Sequence, residues 1–221
     1  MTRSEYQQQL SALRRNVVSM SDLVIDRYDT ALRALETKNE SLAGEVIDGD
    51  GDVNHQYLDI EGDCIDLFAL QQPVAGDLRF IAASFKIVTD LERIGDLATN
   101  LAGYALDAER ERYPEIDLAH IGHETGRMVA EAMAAYERDD SALALEVADR
   151  DDEIDRLCTE ASELVVEDLL RTEYGGEKAD VMDDVSRLLL TVRDLERVGD
   201  HAVNICARTV YMTDHDTGLI Y

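Results

Sequence analysis

The chain has no tryptophan, three phenylalanines and only two prolines, Pro73 and Pro114, in 221 residues. Both sit between long helical patterns. Strand signals, meaning β-branched alternation between tight turns, are missing. Cations are scarce. Against 48 Asp and Glu stand 21 Lys and Arg, a formal net charge of −27, and lysine occurs only as Lys38, Lys86 and Lys178. A field of that sign repels phosphate backbones and anionic lipid, which argues against direct nucleic-acid or membrane-surface binding. The acids run through the whole chain and form no tail. Spread acids with little lysine on a foldable chain are the mark of a salt-rich cytoplasm, where repulsion is screened at short range. Cys64, Cys158 and Cys206 stand singly, with no C-x-x-C spacing. No disulfide framework is expected, and an intracellular, cytoplasmic location is the default. The opening MTRSEYQQQL has no apolar segment, and no run of about 18 apolar residues occurs anywhere, so neither a signal peptide nor a membrane span is expected.

Helical periodicity fills the space these absences leave. Apolar residues recur at three and four spacing almost throughout. In the first segment Leu10, Leu13, Val17, Met20, Val24, Tyr28, Ala31 and Leu35 make one stripe. The pattern predicts helices over about 4–38, 41–70, 77–112, 116–138, 141–173 and 177–212, with breaks at QQPVAGD (71–77), Pro114 and YGG (174–176).

Two segments repeat. DLERIGDLATN at 90–100 returns as DLERVGDHAVN at 194–204, an offset of 104, and EVIDGDGDVN at 45–54 aligns with EVADRDDEID at 146–155, an offset of 101. A period of this length means a duplicated unit. The expected fold is all-α: two tandem three-helix bundles, residues 1–113 and 114–221, with helices packed antiparallel across short loops.

Residues four apart share a helix face, so Glu92 projects with Asp96, and Glu196 with Asp200. Asn100 and Asn204 continue those lines, and Asp90 and Asp194 lie to one side. Equal distances from a turn lie at equal height in an antiparallel pair. Counting from Pro73 sets Asp50 and Asn54 beside Glu92 and Asp96. Counting from Gly175 sets Asp151 and Asp155 beside Glu196 and Asp200. Converging carboxylates repel unless a cation sits among them, and oxygen-rich sets without cysteine favour hard or borderline ions such as Mg, Mn, Fe or Zn. Spacing alone leaves a second reading open, a solvated acidic face with Arg93 and Arg197 as local ion partners. Gly95 and Gly199 fall inside helices at matching places. An interior glycine costs about 1 kcal/mol against alanine, so its return predicts a close helix approach there. The histidines, 55, 120, 123, 201 and 215, stand without a catalytic set, and no phosphate-binding loop follows the glycines at 44, 49 and 51.

QPVAGDLRFIAASFKIVTDLERIGDLATNLA (72–102) and RDLERVGDHAVNI (193–205) resemble the PhoU family of phosphate-uptake regulators, and the resemblance covers nearly the whole chain. It implies two similar three-helix bundles. It implies a non-catalytic regulator that lowers uptake by a phosphate ABC transporter, touching its nucleotide-binding subunit and a sensor kinase. It also implies a protein that is cytoplasmic and peripheral to the membrane through its partners. The family's paired [Glu/Asp]-x-x-x-Asp motifs hold multinuclear divalent or trivalent metal ions, iron or zinc above all. Here those motifs fall on Glu92/Asp96, Asp151/Asp155 and Glu196/Asp200, while Asn54 replaces the second acid after Asp50. The extreme acidity departs from the family and is attributed to a halophilic, archaeal-type host. Exposed bundle faces predict a homodimer. The rival expectation is a metal-dependent enzyme or metal-storage bundle.

Overall fold

The computed structural model describes residues 3–70, 75–106, 116–171 and 178–220. Among them there are eight helices and no strand: α1 (Arg3–Thr37), α2 (Glu40–Asp48), α3 (Asp50–Leu70), α4 (Ala75–Leu106), α5 (Leu118–Arg138), α6 (Ser141–Ala148), α7 (Asp151–Arg171) and α8 (Lys178–Asp214). The expected breaks at Pro73 and YGG, and the repeat boundary at Pro114, lie outside the described residues. Asp77, expected at a helix start, falls in the first turn of α4, where its charge complements the exposed N–H groups.

The stripe expected on α1 is buried from Leu10 to Ala31. Each large side chain withdrawn there contributes about 1.5–3 kcal/mol relative to exposure. The same turn ends the first helix of each repeat. Lys38 and Asp139 take left-handed φ values of 51° and 53°. Asn39 then caps α2 by accepting from the backbone N–H of Ser41 and Leu42, and Asp140 caps α6 by accepting from Leu143. Side-chain acceptors at this position satisfy otherwise unpaired helix-start donors.

The second and fifth expected helices are each divided in two. In the first repeat the break is Gly49. Arg27 of α1 is buried, donates to the Val46 carbonyl and packs where a Gly49 side chain would stand. The buried guanidinium satisfies a carbonyl in the last turn of α2, and a side chain at position 49 would have to displace it. In the second repeat the break is Asp149–Arg150. There Arg150 itself reaches α5, 2.6 Å from Glu131. The arginine thus comes from the neighbouring helix in one copy and from the break in the other. Each break makes an acid the first residue of the next helix, Asp50 of α3 and Asp151 of α7.

The repeats are not separate beads. α1 packs along α4 and α5 along α8, but α4 also packs along α8, and α1 along α5. These four long helices share one core that runs through both repeats. Tyr28 of α1 donates to the Gly122 carbonyl of α5 and shares a 2.7 Å hydrogen bond with Thr125. α2 with α3, and α6 with α7, flank this central group on the α4 and α8 sides.

Candidate metal centres

The first acid cluster lies between α3 and α4. Asp50 opens α3, and its carboxylate accepts from two protein donors, the Asn54 amide at 3.2 Å and the Thr99 hydroxyl of α4 at 3.1 Å. Glu92 and Asp96 sit along α4 with Arg93 between them, 3.4 Å from Glu92 and 3.2 Å from Asp96. Burial pushes the Glu92 carboxyl up, Asp96 and Asp50 add to it, and Arg93 and His201 oppose it. The helices meet closely. A side chain on Gly95 would come within 3.1 Å of Val53, tighter than ordinary carbon contact. Beside the cluster opens a groove of about 300 Å³ lined by Asp50, Arg93, Asp96, Thr99, Asn100 and Arg197.

The second cluster lies between α7 and α8 and is harsher. Burial pushes the Asp151 carboxyl up to about 6, and Asp155, Asp200, Asp152 and Glu196 all push the same way. Glu196 and Asp200 are also raised, first by burial and then by Asp155. Asp151 Oδ1 is buried, and no group among the described residues donates to it. The repeat offset explains this: position 203 is valine where position 99 is threonine, and position 155 is Asp where position 54 is Asn. Gly199 marks the close approach. A side chain there would stand 3.3 Å from Asp151 Oδ1. Cys158 sits behind these acids with its thiol pushed up to about 12, by burial first and then by the carboxylates.

The four flanking candidates pair with each other between α4 and α8, and Asn100 also lines the groove beside the first cluster. The Asn100 amide and the Tyr104 hydroxyl of α4 donate to Asp194 of α8, at 3.2 and 2.9 Å. In the opposite sense Asn204 of α8 donates to Asp90 of α4 at 3.2 Å, and His201 Nδ1 lies 2.9 Å from the same carboxylate. The two bridges exchange under the 104-residue offset. Asp194 is fully buried and also accepts from Arg193 at 2.8 Å. Asp90, Asn100, Asp194 and Asn204 therefore join the repeats across the α4–α8 seam. Thr99 and Tyr104 were absent from the expectation. Comparing the repeats position by position exposes Thr99, opposite Val203. Nothing in the local pattern exposes Tyr104, whose counterpart is Arg208.

The donor chemistry of the second cluster fits a hard or borderline cation: four carboxylates, one with a buried oxygen left without a partner. No three His, Cys, Asp or Glu side chains among the described residues are placed as a ligand set. The first cluster fits less well, since an amide and a hydroxyl already satisfy Asp50.

Fold and site together define a class, an internally duplicated all-helical protein with a paired acidic turn in each repeat. The family model for the PhoU domain matches residues 17–105 and again 118–209. The chain belongs to the PhoU family. It is 34% identical over 212 residues to the phosphate-specific transport system accessory protein PhoU homolog of Pseudomonas aeruginosa, covering 94% of this chain and 85% of that protein. It is 38% identical over 151 residues to the homolog of Aquifex aeolicus, covering 67% and 68%. The crystal structure of PhoU from Pseudomonas aeruginosa superposes with a TM-score of 0.88 at 32% identity, over 96% of this chain and all of that one. The phosphate transport system regulatory protein PhoU from Streptococcus pneumoniae gives 0.87 at 26% identity, over 96% and 98%. These relatives are named accessory or regulatory proteins, not enzymes. No described helix is long and apolar enough to cross a membrane.

Proposed function

We propose that this protein is a cytoplasmic, non-catalytic regulator of phosphate uptake, which restrains a phosphate ABC transporter when phosphate is ample. The observation that carries the reading is the twofold PhoU-domain match, one per repeat. The relatives' names support association with a phosphate-specific transport system. The nucleotide-binding subunit of that transporter is the proposed direct partner, with a sensor kinase as a second, and the protein acts as a homodimer. Deleting the gene should raise phosphate uptake in phosphate-rich medium. Unchanged uptake and unchanged phosphate-responsive transcription would refute the reading.

The acid clusters enter as cation sites of unequal quality. In the second, Asp151, Asp155, Glu196 and Asp200 would hold a divalent or trivalent ion, iron, zinc, manganese or magnesium. When bound, the ion supplies positive charge that offsets the mutual repulsion of these carboxylates and ties α7 to α8. The orphaned Asp151 oxygen supports this assignment. In the first cluster Asn54 and Thr99 fill the equivalent role for Asp50 with neutral donors, so Glu92 and Asp96 would hold an ion weakly.

A further inference from the structure

We propose that the outward face of α3 is a docking surface for a basic amphipathic helix of another protein. The helix carries two apolar stripes. Val53, Ile60, Cys64 and Leu67 are buried in the core. Leu58, Gly62, Ile65 and Ala69 form a second stripe that is exposed along its whole length. Leu58 is 60% and Ile65 53% exposed, and Phe68 beside them 37%. Steps of four, three and four residues are the spacing of a helix–helix seam. A side chain at Gly62 would meet nothing within 4 Å, so an open notch lies between Leu58 and Ile65 for a partner's side chain.

Charge identifies the occupant. Asp59 and Asp66 border the seam on one side and Glu61 on the other, at the positions that form interhelical ion pairs in paired helices. None of the three makes an ion pair among the described residues. From residue 39 to 78 the chain holds ten acids and not one Lys or Arg, although 21 are spread over the 221 residues. The matching helix shows that this is not the general character of the surface. In α7 the counterpart stripe begins with Thr159 and Glu163, and only then Val166 and Leu170. The counterparts of Asp59 and Asp66 are Glu160 and Glu167, and Arg156 and Arg171 pair with them at 2.5 and 3.2 Å. The second repeat neutralises this face internally, and the first leaves it for another molecule. Anionic lipid and nucleic acid are repelled by it. A second copy of the same face would set acid against acid. A helix with leucine-type residues at its seam and Lys or Arg beside them fits on both counts. The inference stands apart from the transporter reading, because the surface chemistry alone defines the partner.

The test uses the full-length protein and a labelled synthetic helix of three heptads, leucine at the seam and lysine at the flanking positions, followed by fluorescence anisotropy. Leu58→Ser with Ile65→Ser should weaken binding about tenfold. Asp59→Asn, Glu61→Gln and Asp66→Asn together should flatten the loss of affinity between about 0.15 M and about 1 M salt. Val166→Ser with Leu170→Ser in α7 should change nothing, and a photo-crosslinker on the peptide seam should mark residues 58–69. Equal weakening by the α7 variant, no weakening by the α3 variant, or crosslinks elsewhere would overturn the proposal. So would loss of self-association in the α3 variant, which would assign the face to a second copy.

Discussion

The two repeats carry the same acidic turn and resolve its repulsion differently. In the first, Asp50 accepts from Asn54 and Thr99, so neutral protein groups balance the carboxylate. In the second, Asp and Val stand at those positions, and Asp151 keeps a buried oxygen with no donor among the described residues. One substitution removes an amide and the other a hydroxyl, and together they leave the second cluster's carboxylates without the neutral donors of the first. On the proposed reading, divergence at two positions separates a self-satisfied cluster from a cation site on one scaffold.

The same contrast runs along the α4–α8 seam, and the largest effect is expected there. Asp194 is fully buried among donors from both repeats, whereas Asp90 is 15% exposed. Asp194→Ala should cost about 3 kcal/mol in urea unfolding, because the Asn100 and Tyr104 donors lose a charged acceptor. Asp90→Ala should cost about 1–2 kcal/mol, because water reaches the donors it leaves. Equal losses would break the comparison.

Cation binding is expected to come next. A ligand at a hundredfold excess over its Kd stabilises a fold by about 2.7 kcal/mol. On the proposed reading, manganese or zinc should raise the melting temperature of the wild type. Glu196→Ala with Asp200→Ala should abolish that rise, and Glu92→Ala with Asp96→Ala should preserve most of it. The opposite ranking would reverse the assignment of the sites.

A smaller effect follows from proton linkage. Asp151, Glu196 and Asp200 titrate above the usual carboxylate range in the folded chain. The folded state therefore holds protons that the unfolded state has released. That contribution to stability is fully present below pH about 4 and is lost as pH rises through about 6, the Asp151 value. The metal-free protein should melt lower at neutral pH than at mildly acidic pH, and Asp151→Asn should flatten the profile. An unchanged profile would mean that the carboxylate is already offset. The smallest effect is expected from exchanging the donors. Thr99→Val should cost about 1 kcal/mol, and Val203→Thr should recover a similar amount by giving the second cluster a hydroxyl. Chemical denaturation of both variants without metal checks the pair.

How much of this was legible in the sequence differs from element to element. The long helices were, because their apolar spacing holds for five turns or more in α1, and the duplication was, because DLER-x-GD recurs with its glycine. Gly95 and Gly199 marked close approaches, to Val53 and to Asp151. The division of the second and fifth helices was not legible. It depends on Arg27 arriving from α1 and on Arg150 reaching Glu131, contacts that no local pattern encodes. The α4–α8 seam was hidden for a related reason. Asp90 and Asn100 look like extensions of the acid turn until their partners, Asn204 and Asp194, are brought from the other repeat. The carboxylate pairings within each repeat were reachable by counting from the turns. The partnerless state of Asp151 was not, since it depends on which neighbours fail to reach it.

The most direct test is anomalous diffraction at the metal edge from crystals grown with one manganese or zinc concentration, refining occupancy at both clusters. Density is expected among Asp151, Asp155, Glu196 and Asp200, with little beside Asp50 and Asn54. Equal occupancy at the two clusters, or metal at the first alone, would contradict it.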